Sequence, residues 1–275
     1  MPFPPSIVAA DGTTLHLLEW ASEGPRGTVL IVHGLGEHGD RYGHVAQWLS
    51  TRGFRVVSYD QRGHGQSQGP RGVSPTPETL YEDLELVIDA VRPPNGKLIV
   101  LGHSMGGAIA ARFVADGRRP IDGLILSSPA LAANLSAMQK LQLYLGERMM
   151  PMIAQGNGLD PKMISHNQTV VRAYMEDPLV HDRISARLAR VLIDAGEVAR
   201  AKAGHWQTPT LLVYAGADAL VAPSGSDAFA ASAPREVVES TKFDGLYHEI
   251  LNETEALAAP VFARIDQWLD ARFPA

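Results

Sequence analysis

The chain has 275 residues, of which 45% are hydrophobic and 20% are charged, a composition typical of a globular protein rather than of a disordered or fibrous one. The net charge of -6 and the absence of a long basic run argue against nucleic acid as a main partner and favour a neutral or amphiphilic small molecule. The chain contains no cysteine, which excludes disulfides, zinc–thiolate sites and a cysteine nucleophile.

The first residues, MPFPPSIVAADG, lack the basic residues and the apolar stretch of a signal peptide. No apolar run in the sequence reaches the roughly 18 residues that a membrane span needs. We therefore expect a cytoplasmic protein whose contact with a membrane, where it occurs, is transient and peripheral.

The predicted strands are short. Two extended runs within residues 7–20 flank Asp11 and Gly12, a pair typical of a tight hairpin turn, and they predict an antiparallel edge. Continuous apolar runs that end in glycine or polar residues predict buried parallel strands, at residues 28–34, 55–60, 97–102, 123–128 and 210–216. Residues 235–241 predict one more strand.

Segments with helical periodicity separate these strands, at residues 42–52, 78–91, 106–116, 224–232 and 253–273. Alternating strands and helices predict the α/β class, with a mostly parallel central sheet and helices on both of its faces. The alternation stops for about eighty residues after residue 128, and a structureless loop of that length is implausible in a compact domain. We expect a core of residues 1–128 and 207–275, and a helical cap insertion, residues 129–206, over one end of the sheet.

Ser104 follows the predicted strand at residues 97–102 and matches the pattern GxSxG, with Gly102 and Gly106 on either side. Small residues at these positions permit a sharp turn from strand to helix that leaves the serine hydroxyl exposed. Ligands of open parallel sheets bind beyond the carboxyl ends of the strands, where Ser104 would lie. We predict that Ser104 is a nucleophile.

A serine hydroxyl needs a base that is itself oriented by a carboxylate, and in this arrangement the acid and then the histidine follow the serine in the chain. Of the late histidines, His205 precedes a strand and would enter the sheet at its wrong end. His248 lies on a loop between the last strand and the last helix, which is the expected place. We predict His248 as the base.

Asp218 is the predicted orienting acid because it directly follows an apolar strand, on a loop at the carboxyl edge of the sheet. Asp227 lies one helix later. Asp244, four residues before His248, is the replacement if Asp218 is not the partner.

The oxyanion hole is expected to combine two backbone N–H groups, from the residue after the nucleophile and from the loop after an earlier strand. Met105 supplies the first, and Leu35 is the expected source of the second. His33, next to that loop, is interpreted as structural. We assign no metal, since no HExxH motif occurs and the spacing of the histidines is not that of a ligand set.

With these residues in place, the sequence resembles the serine α/β-hydrolases, and more narrowly the monoacylglycerol lipase and lysophospholipase family. The resemblance covers nearly the whole chain and rests on the motifs HGLGEHGDRY, DQRGHGQS, GHSMGG, GADALVAPSGS and YHEILNE. It implies the α/β-hydrolase fold and the same catalytic roles, namely Ser104 as nucleophile, Asp218 and His248 as relay, and Leu35 and Met105 as oxyanion donors.

The resemblance further implies that Glu37, Arg41 and His103 lie near the pocket for a glycerol headgroup. The residues themselves leave a second interpretation open. Glu37 and Arg41, four apart, are equally consistent with a local salt bridge, and His103 with a spacer in the turn.

The cap contains six of the eight methionines, whose flexible side chains are suited to an acyl-chain channel, although each is also consistent with simple packing. The predicted function is hydrolysis of single-chain acylglycerols, with no cofactor. Two alternatives stay open: a lysophospholipase or short-chain carboxylesterase with the same machinery, and a non-catalytic receptor for a small ligand on the same fold.

Overall fold

The computed structural model describes residues 4–133 and 136–274. Parts of three predictions lie outside the described residues. These are residues 1–3 of the segment that was compared with a signal peptide, the outer limits of the predicted core at residues 1 and 275, and residues 134–135 of the predicted cap. In the described ranges the strands are β1 (Ser6–Val8), β2 (Thr14–Trp20), β3 (Gly27–Val32), β4 (Phe54–Tyr59), β5 (Leu98–His103), β6 (Gly123–Ser127), β7 (Ala154–Gly156), β8 (Arg183–Ser185), β9 (Thr210–Ala215) and β10 (Val238–Phe243). The α-helices are α1 (Gly43–Thr51), α2 (Thr79–Val91), α3 (Ser104–Ala115), α4 (Ala137–Met149), α5 (Gln168–Glu176), α6 (Ala186–Lys202), α7 (Pro223–Ser232) and α8 (Glu255–Arg272).

Eight of the strands form one sheet in the order β1-β2-β4-β3-β5-β6-β9-β10. β2 pairs antiparallel with β1 and β4, and every other pair in this sheet is parallel. The predicted antiparallel edge and mostly parallel sheet are both confirmed. The parallel strands therefore present their carboxyl ends, and the loops that follow them, at one edge of the sheet.

Alternating side chains of β3 show how the sheet is covered on both faces. Val29 and Ile31 point into a core layer shared with α1 and α8, and Leu30 and Val32 point into the layer shared with α2 and α3. All four side chains are fully buried, and burial of each contributes about 2 kcal/mol. Two apolar layers thus hold the strand ends in place, and the site at their carboxyl edge rests on a rigid support.

The chain between β6 and β9 is mainly helical and contains α4, α5 and α6. We predict no strand in this stretch, and that is wrong for β7 and β8, which pair antiparallel as a separate ribbon. Each has three residues, too few to produce a recognisable alternation of apolar and polar side chains.

The two halves of this stretch pack differently. α6 lies against α3. A Cβ at Gly196 would lie 2.3 Å from the carbonyl oxygen of Leu131, so only glycine permits α6 to lie this close to Leu131. The part before α6 contacts loops at the carboxyl edge of the sheet. His181 N–H donates to the Gly36 carbonyl at 2.8 Å, and the Ile164 carbonyl accepts from Glu249 N–H at 2.8 Å. The division into core and cap stays a prediction.

Candidate active site

The predicted nucleophile, Ser104, lies at a sharp turn in which β5 ends at His103 and α3 begins at the next residue. Its φ of 51° is in the left-handed region, a strain of about 1–3 kcal/mol for a residue other than glycine. The flanking glycines make the turn possible. A Cβ at Gly102 would lie 2.7 Å from the carbonyl oxygen of Gly106, and one at Gly106 would lie 2.2 Å from that of Val32.

Two backbone segments approach Ser104 and carry the predicted oxyanion donors. Met105 is in the first turn of α3, whose N–H groups have no partner within the helix and whose dipole favours negative charge. The loop after β3 passes on another side, where a Cβ at Gly34 would lie 3.2 Å from the Cβ of Ser104. Leu35 follows on that loop and lines the same cavity as Ser104.

His248 and Asp218 form a short, buried hydrogen-bonded pair. The imidazole Nδ1 lies 2.6 Å from Asp218 Oδ2, and the two side chains are 6% and 1% exposed. Since the carboxylate accepts at Nδ1, this nitrogen carries the proton and Nε2 is left as the basic one. Asp218 Oδ1 in turn accepts from the N–H groups of Leu220, at 2.8 Å, and Val221, at 3.0 Å.

The electrostatics of this pair favour the charged forms of both residues. Burial alone would lower the pKa of His248, but the neighbouring carboxylates, Asp218 above all and then Glu249 and Glu37, raise that pKa above its ordinary 6.5. Burial would also raise the pKa of Asp218, but His248 and the two backbone N–H donors together lower it. Asp218 therefore stays ionised.

The other candidates for base and acid lie elsewhere. Asp227 accepts from the hydroxyl of Tyr214 at 2.6 Å, and Asp244 is exposed on the loop after β10. His205 is exposed and ends the short helix before β9.

A cavity of about 320 Å³ lies over Ser104 and His248. Its roof comes from the chain between β6 and β9 and includes the apolar side chains of Leu159, Ile164 and Met175. Met175 is also exposed to solvent, as are four other methionines of that stretch: Met138, Met149, Met150 and Met152. The cavity thus has a polar floor, which includes Ser104, His248 and Glu37, and a partly apolar roof.

Glu37, Arg41 and Glu249 form a buried ionic network beside the cavity. Glu37 Oε1 accepts from Gly34 N–H at 2.6 Å and from the hydroxyl of Tyr42 at 2.8 Å. The guanidinium of Arg41 donates to Glu37 Oε2 and, through two nitrogens at 2.8 and 2.7 Å, to Glu249. The local salt bridge considered from the sequence is present, and both carboxylates also line the cavity.

The two other histidines considered in the sequence analysis, His103 and His33, have different surroundings. His103 lines the cavity, its Nδ1 lies 3.1 Å from Ser127 Oγ, and burial together with nearby His248 lowers its pKa to about 3, so it is neutral. His33 is fully buried. It donates to the carbonyl of Gly34 at 2.7 Å and accepts from the N–H of Gln61 at 2.9 Å, which fixes the start of the loop that carries Leu35.

Glu249 and Tyr174 are not among the site residues predicted from the sequence. Glu249 is part of the quoted YHEILNE motif, directly after His248, and a carboxylate beside a predicted base is a usable signal. The ring of Tyr174, on α5, lies 4.8 Å from the Arg41 guanidinium, a contact between parts of the chain that no local pattern connects.

The chain is similar to several known proteins. The family described as serine aminopeptidase, S33, matches residues 23–255. The monoacylglycerol lipase of Mycolicibacterium smegmatis is 36% identical over 240 residues, 84% of this chain and 84% of that protein. An abhydrolase domain-containing protein of Dictyostelium discoideum is 34% identical over 254 residues, and this chain spans 27% of its length. The crystal structure of the Paleococcus ferrophilus monoacylglycerol lipase has a TM-score of 0.86 at 34% identity and covers 94% of this chain and 99% of that one.

Proposed function

The chain belongs to the serine aminopeptidase S33 family and is a serine α/β-hydrolase, and from this premise we propose that it hydrolyses single-chain acylglycerols through an acyl-enzyme on Ser104. The observation that carries the proposal is that His248, held by Asp218 at 2.6 Å, lines the same cavity as Ser104. Two relatives at 34% identity or more are named monoacylglycerol lipase, which supports the substrate class.

In the first half of the proposed reaction, Ser104 Oγ attacks the ester carbonyl carbon and its proton passes to His248 Nε2. Asp218 holds the imidazole through Nδ1 and stabilises the imidazolium that forms. The carbonyl oxygen becomes an oxyanion, which accepts hydrogen bonds from the N–H groups of Leu35 and Met105. Each such donor contributes about 3 kcal/mol to transition-state stabilisation.

The oxyanion collapses, the bond to the glycerol oxygen breaks, and His248 gives its proton to that oxygen. A water molecule then enters, loses a proton to His248, and attacks the acyl carbon. Collapse of the second oxyanion returns the proton to Ser104 and releases the fatty acid. Every proton taken in this cycle is returned, so no cofactor is consumed.

The cavity supports a substrate with an uncharged headgroup. Glu37 and Glu249 line it, and the adjacent cation, Arg41, is already held by both of these carboxylates. An anionic headgroup would therefore face uncompensated negative charge, whereas the hydroxyls of glycerol can donate to it. The predicted headgroup role of Glu37, Arg41 and His103 stays a prediction.

Initial rates on monoolein, lysophosphatidylcholine and short nitrophenyl esters test the substrate class. We expect monoolein to have the highest kcat/KM. A preference for lysophosphatidylcholine would make the chain a lysophospholipase, and turnover of the short esters alone would make it a general esterase. Labelling by a fluorophosphonate probe that disappears in Ser104→Ala tests the nucleophile, and an unlabelled parent protein would favour a receptor.

We also propose that the chain contacts membranes transiently through the roof. Large apolar side chains are exposed along and after α4: Met138, Leu141, Tyr144, Leu145, Met149, Met150, Met152 and Ile153. Large exposed apolar side chains that recur along one segment support an interaction site. In the described part of the chain no helix is long and apolar enough to cross a bilayer, and location in the cytoplasm stays a prediction.

A further inference from the structure

Arg41 joins two loops that carry different parts of the proposed machinery. Its guanidinium donates to Glu37, on the loop after β3, and to both carboxylate oxygens of Glu249, on the loop after β10, 208 residues away in the chain. A two-nitrogen fork on a carboxylate fixes both distance and orientation. Arg41, which follows Glu37 in the segment after β3, thus fixes the position of this segment relative to the loop after β10.

The Glu37 end of this network holds the oxyanion loop. Glu37 Oε1 accepts from Gly34 N–H at 2.6 Å, and Gly34 precedes Leu35, the proposed oxyanion donor. The Glu37 side chain is 3% exposed and also accepts from the hydroxyl of Tyr42. The carboxylate therefore has few other positions, and displacing it would displace the loop.

The Glu249 end holds the proposed base. Glu249 directly follows His248, and besides Arg41 it accepts from the side-chain amide of Asn252 at 2.8 Å. Its own N–H donates to the Ile164 carbonyl of the roof. Asp218 limits the rotation of the imidazole, and Glu249 limits the position of the backbone from which the imidazole extends.

Burial makes this network costly to break. The side chain of Arg41 is 10% exposed and that of Glu249 is 5% exposed, and the ring of Tyr174 covers the guanidinium at 4.8 Å. When one member of such a group is removed, the remaining charges stay buried without a partner, and the loops shift to let in water.

We propose that Arg41 is a positioning residue, which through Glu37 and Glu249 holds the oxyanion donor and the base in register around Ser104. The inference rests on the proposed hydrolase mechanism. It differs from a headgroup role in a measurable way, because a positioning residue acts on every ester, whereas a headgroup contact acts only on esters that have the headgroup.

The test compares Arg41→Gln and Glu249→Gln with the parent protein on monoolein and on a nitrophenyl ester of the same acyl chain. We expect kcat to fall about 10- to 100-fold on both esters by the same factor, with KM little changed, because small misplacements of catalytic groups cost this much. Asp83→Asn is the matched control. Asp83 is another buried carboxylate with a two-nitrogen Arg partner, Arg62, but it lies on α2.

The pH profile separates positioning from general damage to the fold. Among the described residues, the carboxylates that raise the pKa of His248 are Asp218, Glu249 and Glu37. Arg41 is bound to both glutamates, and His103 is neutral. Loss of Arg41 leaves both glutamates uncompensated, which raises the pKa of His248 and moves the acid limb of kcat/KM to higher pH. Loss of the Glu249 charge moves it to lower pH. We expect these opposite shifts, and no shift in Asp83→Asn.

Three results would overturn the inference: a loss confined to monoolein, unchanged kcat in folded variants, or an acid limb that moves the same way in both. A protein that cleaves the nitrophenyl ester but not monoolein would refute the proposed substrate and still permit this test. Tyr174→Leu examines the ring that covers the guanidinium of Arg41. We expect it to lose part of the parent rate by the same factor on both esters, because the ring no longer excludes water from the ionic network.

Discussion

The floor and the roof of the cavity differ in how far their side chains are buried and in what those side chains contact. The floor consists of the loops after β3, β9 and β10 and the turn from β5 to α3, and buried polar groups in it have close partners, as Asp218 and Glu37 do. The roof, from the chain between β6 and β9, presents exposed apolar side chains to solvent. It contacts the floor through backbone hydrogen bonds and through side-chain pairs such as His38–Asp177 and His166–Glu253. We expect the floor to hold the catalytic geometry and the exposed part of the roof to tolerate substitution.

The largest effect is expected at the floor. Ser104→Ala is expected to lower kcat by on the order of 10⁵- to 10⁶-fold, because no other group in the proposed mechanism attacks the carbonyl. Steady-state rates with monoolein measure the loss.

The free energy of unfolding should distinguish Ser104→Gly from Ser104→Ala. Glycine tolerates φ near 51°, so the Ser104→Gly variant should be about 1 kcal/mol more stable than Ser104→Ala. Equal stability would contradict the assigned strain.

Asp218→Asn is expected to lower kcat by on the order of 10⁴-fold, since an amide stabilises neither the required tautomer nor the imidazolium. Asp227→Asn and Asp244→Asn serve as matched controls and should stay close to the parent rate. If Asp244→Asn caused the larger loss, Asp218 would not be the orienting acid.

The pH dependence reports on the same pair. Neutral His248 is the proposed base, and its pKa in the folded protein is raised above 6.5. Activity should therefore be full above that raised pKa and fall about tenfold for each unit below it. A kcat/KM profile measured on a nitrophenyl ester checks this, and an acid limb centred below 6.5 would disagree with the charge arrangement.

The smallest effects are expected at the roof. Met175→Ala removes apolar surface from the cavity and should change the preference among acyl-chain lengths by roughly 10-fold or less, with little change on acetyl esters. Tyr144→Ser, on the outer surface of α4, should lower binding to phosphatidylcholine vesicles in a co-sedimentation assay without changing turnover of short esters. A loss of short-ester turnover in either variant would show that the roof is not separable from the floor.

Much of the fold was predictable because its signals are local. Apolar runs ended by glycine predict the parallel strands, and GxSxG after one of them predicts the turn at Ser104. The family match confirms the resemblance on which the class of serine hydrolase rests. β7 and β8 were not predictable, since three residues carry no periodic pattern.

The predicted site was less complete. The order of serine, acid and histidine along the chain narrowed the acid to a few aspartates, but it did not reveal that Arg41 is bound on both sides by carboxylates. Glu37 is four residues from Arg41 and was a visible partner. Glu249 was not a visible partner of Arg41, because their separation of 208 residues is far outside the range of helical spacing.

The sequence by itself determined the α/β class and the turn that presents Ser104, because both depend on neighbours in the chain. It also narrowed the candidates for the base and the acid to a few residues, because their order along the chain is restricted. Only the tertiary structure decided that Asp218, 30 residues from His248, is its partner, and that Arg41 ties the two loops together. These choices depend on which strand ends lie side by side and on which charges are buried together, and both are set by packing of the whole sheet.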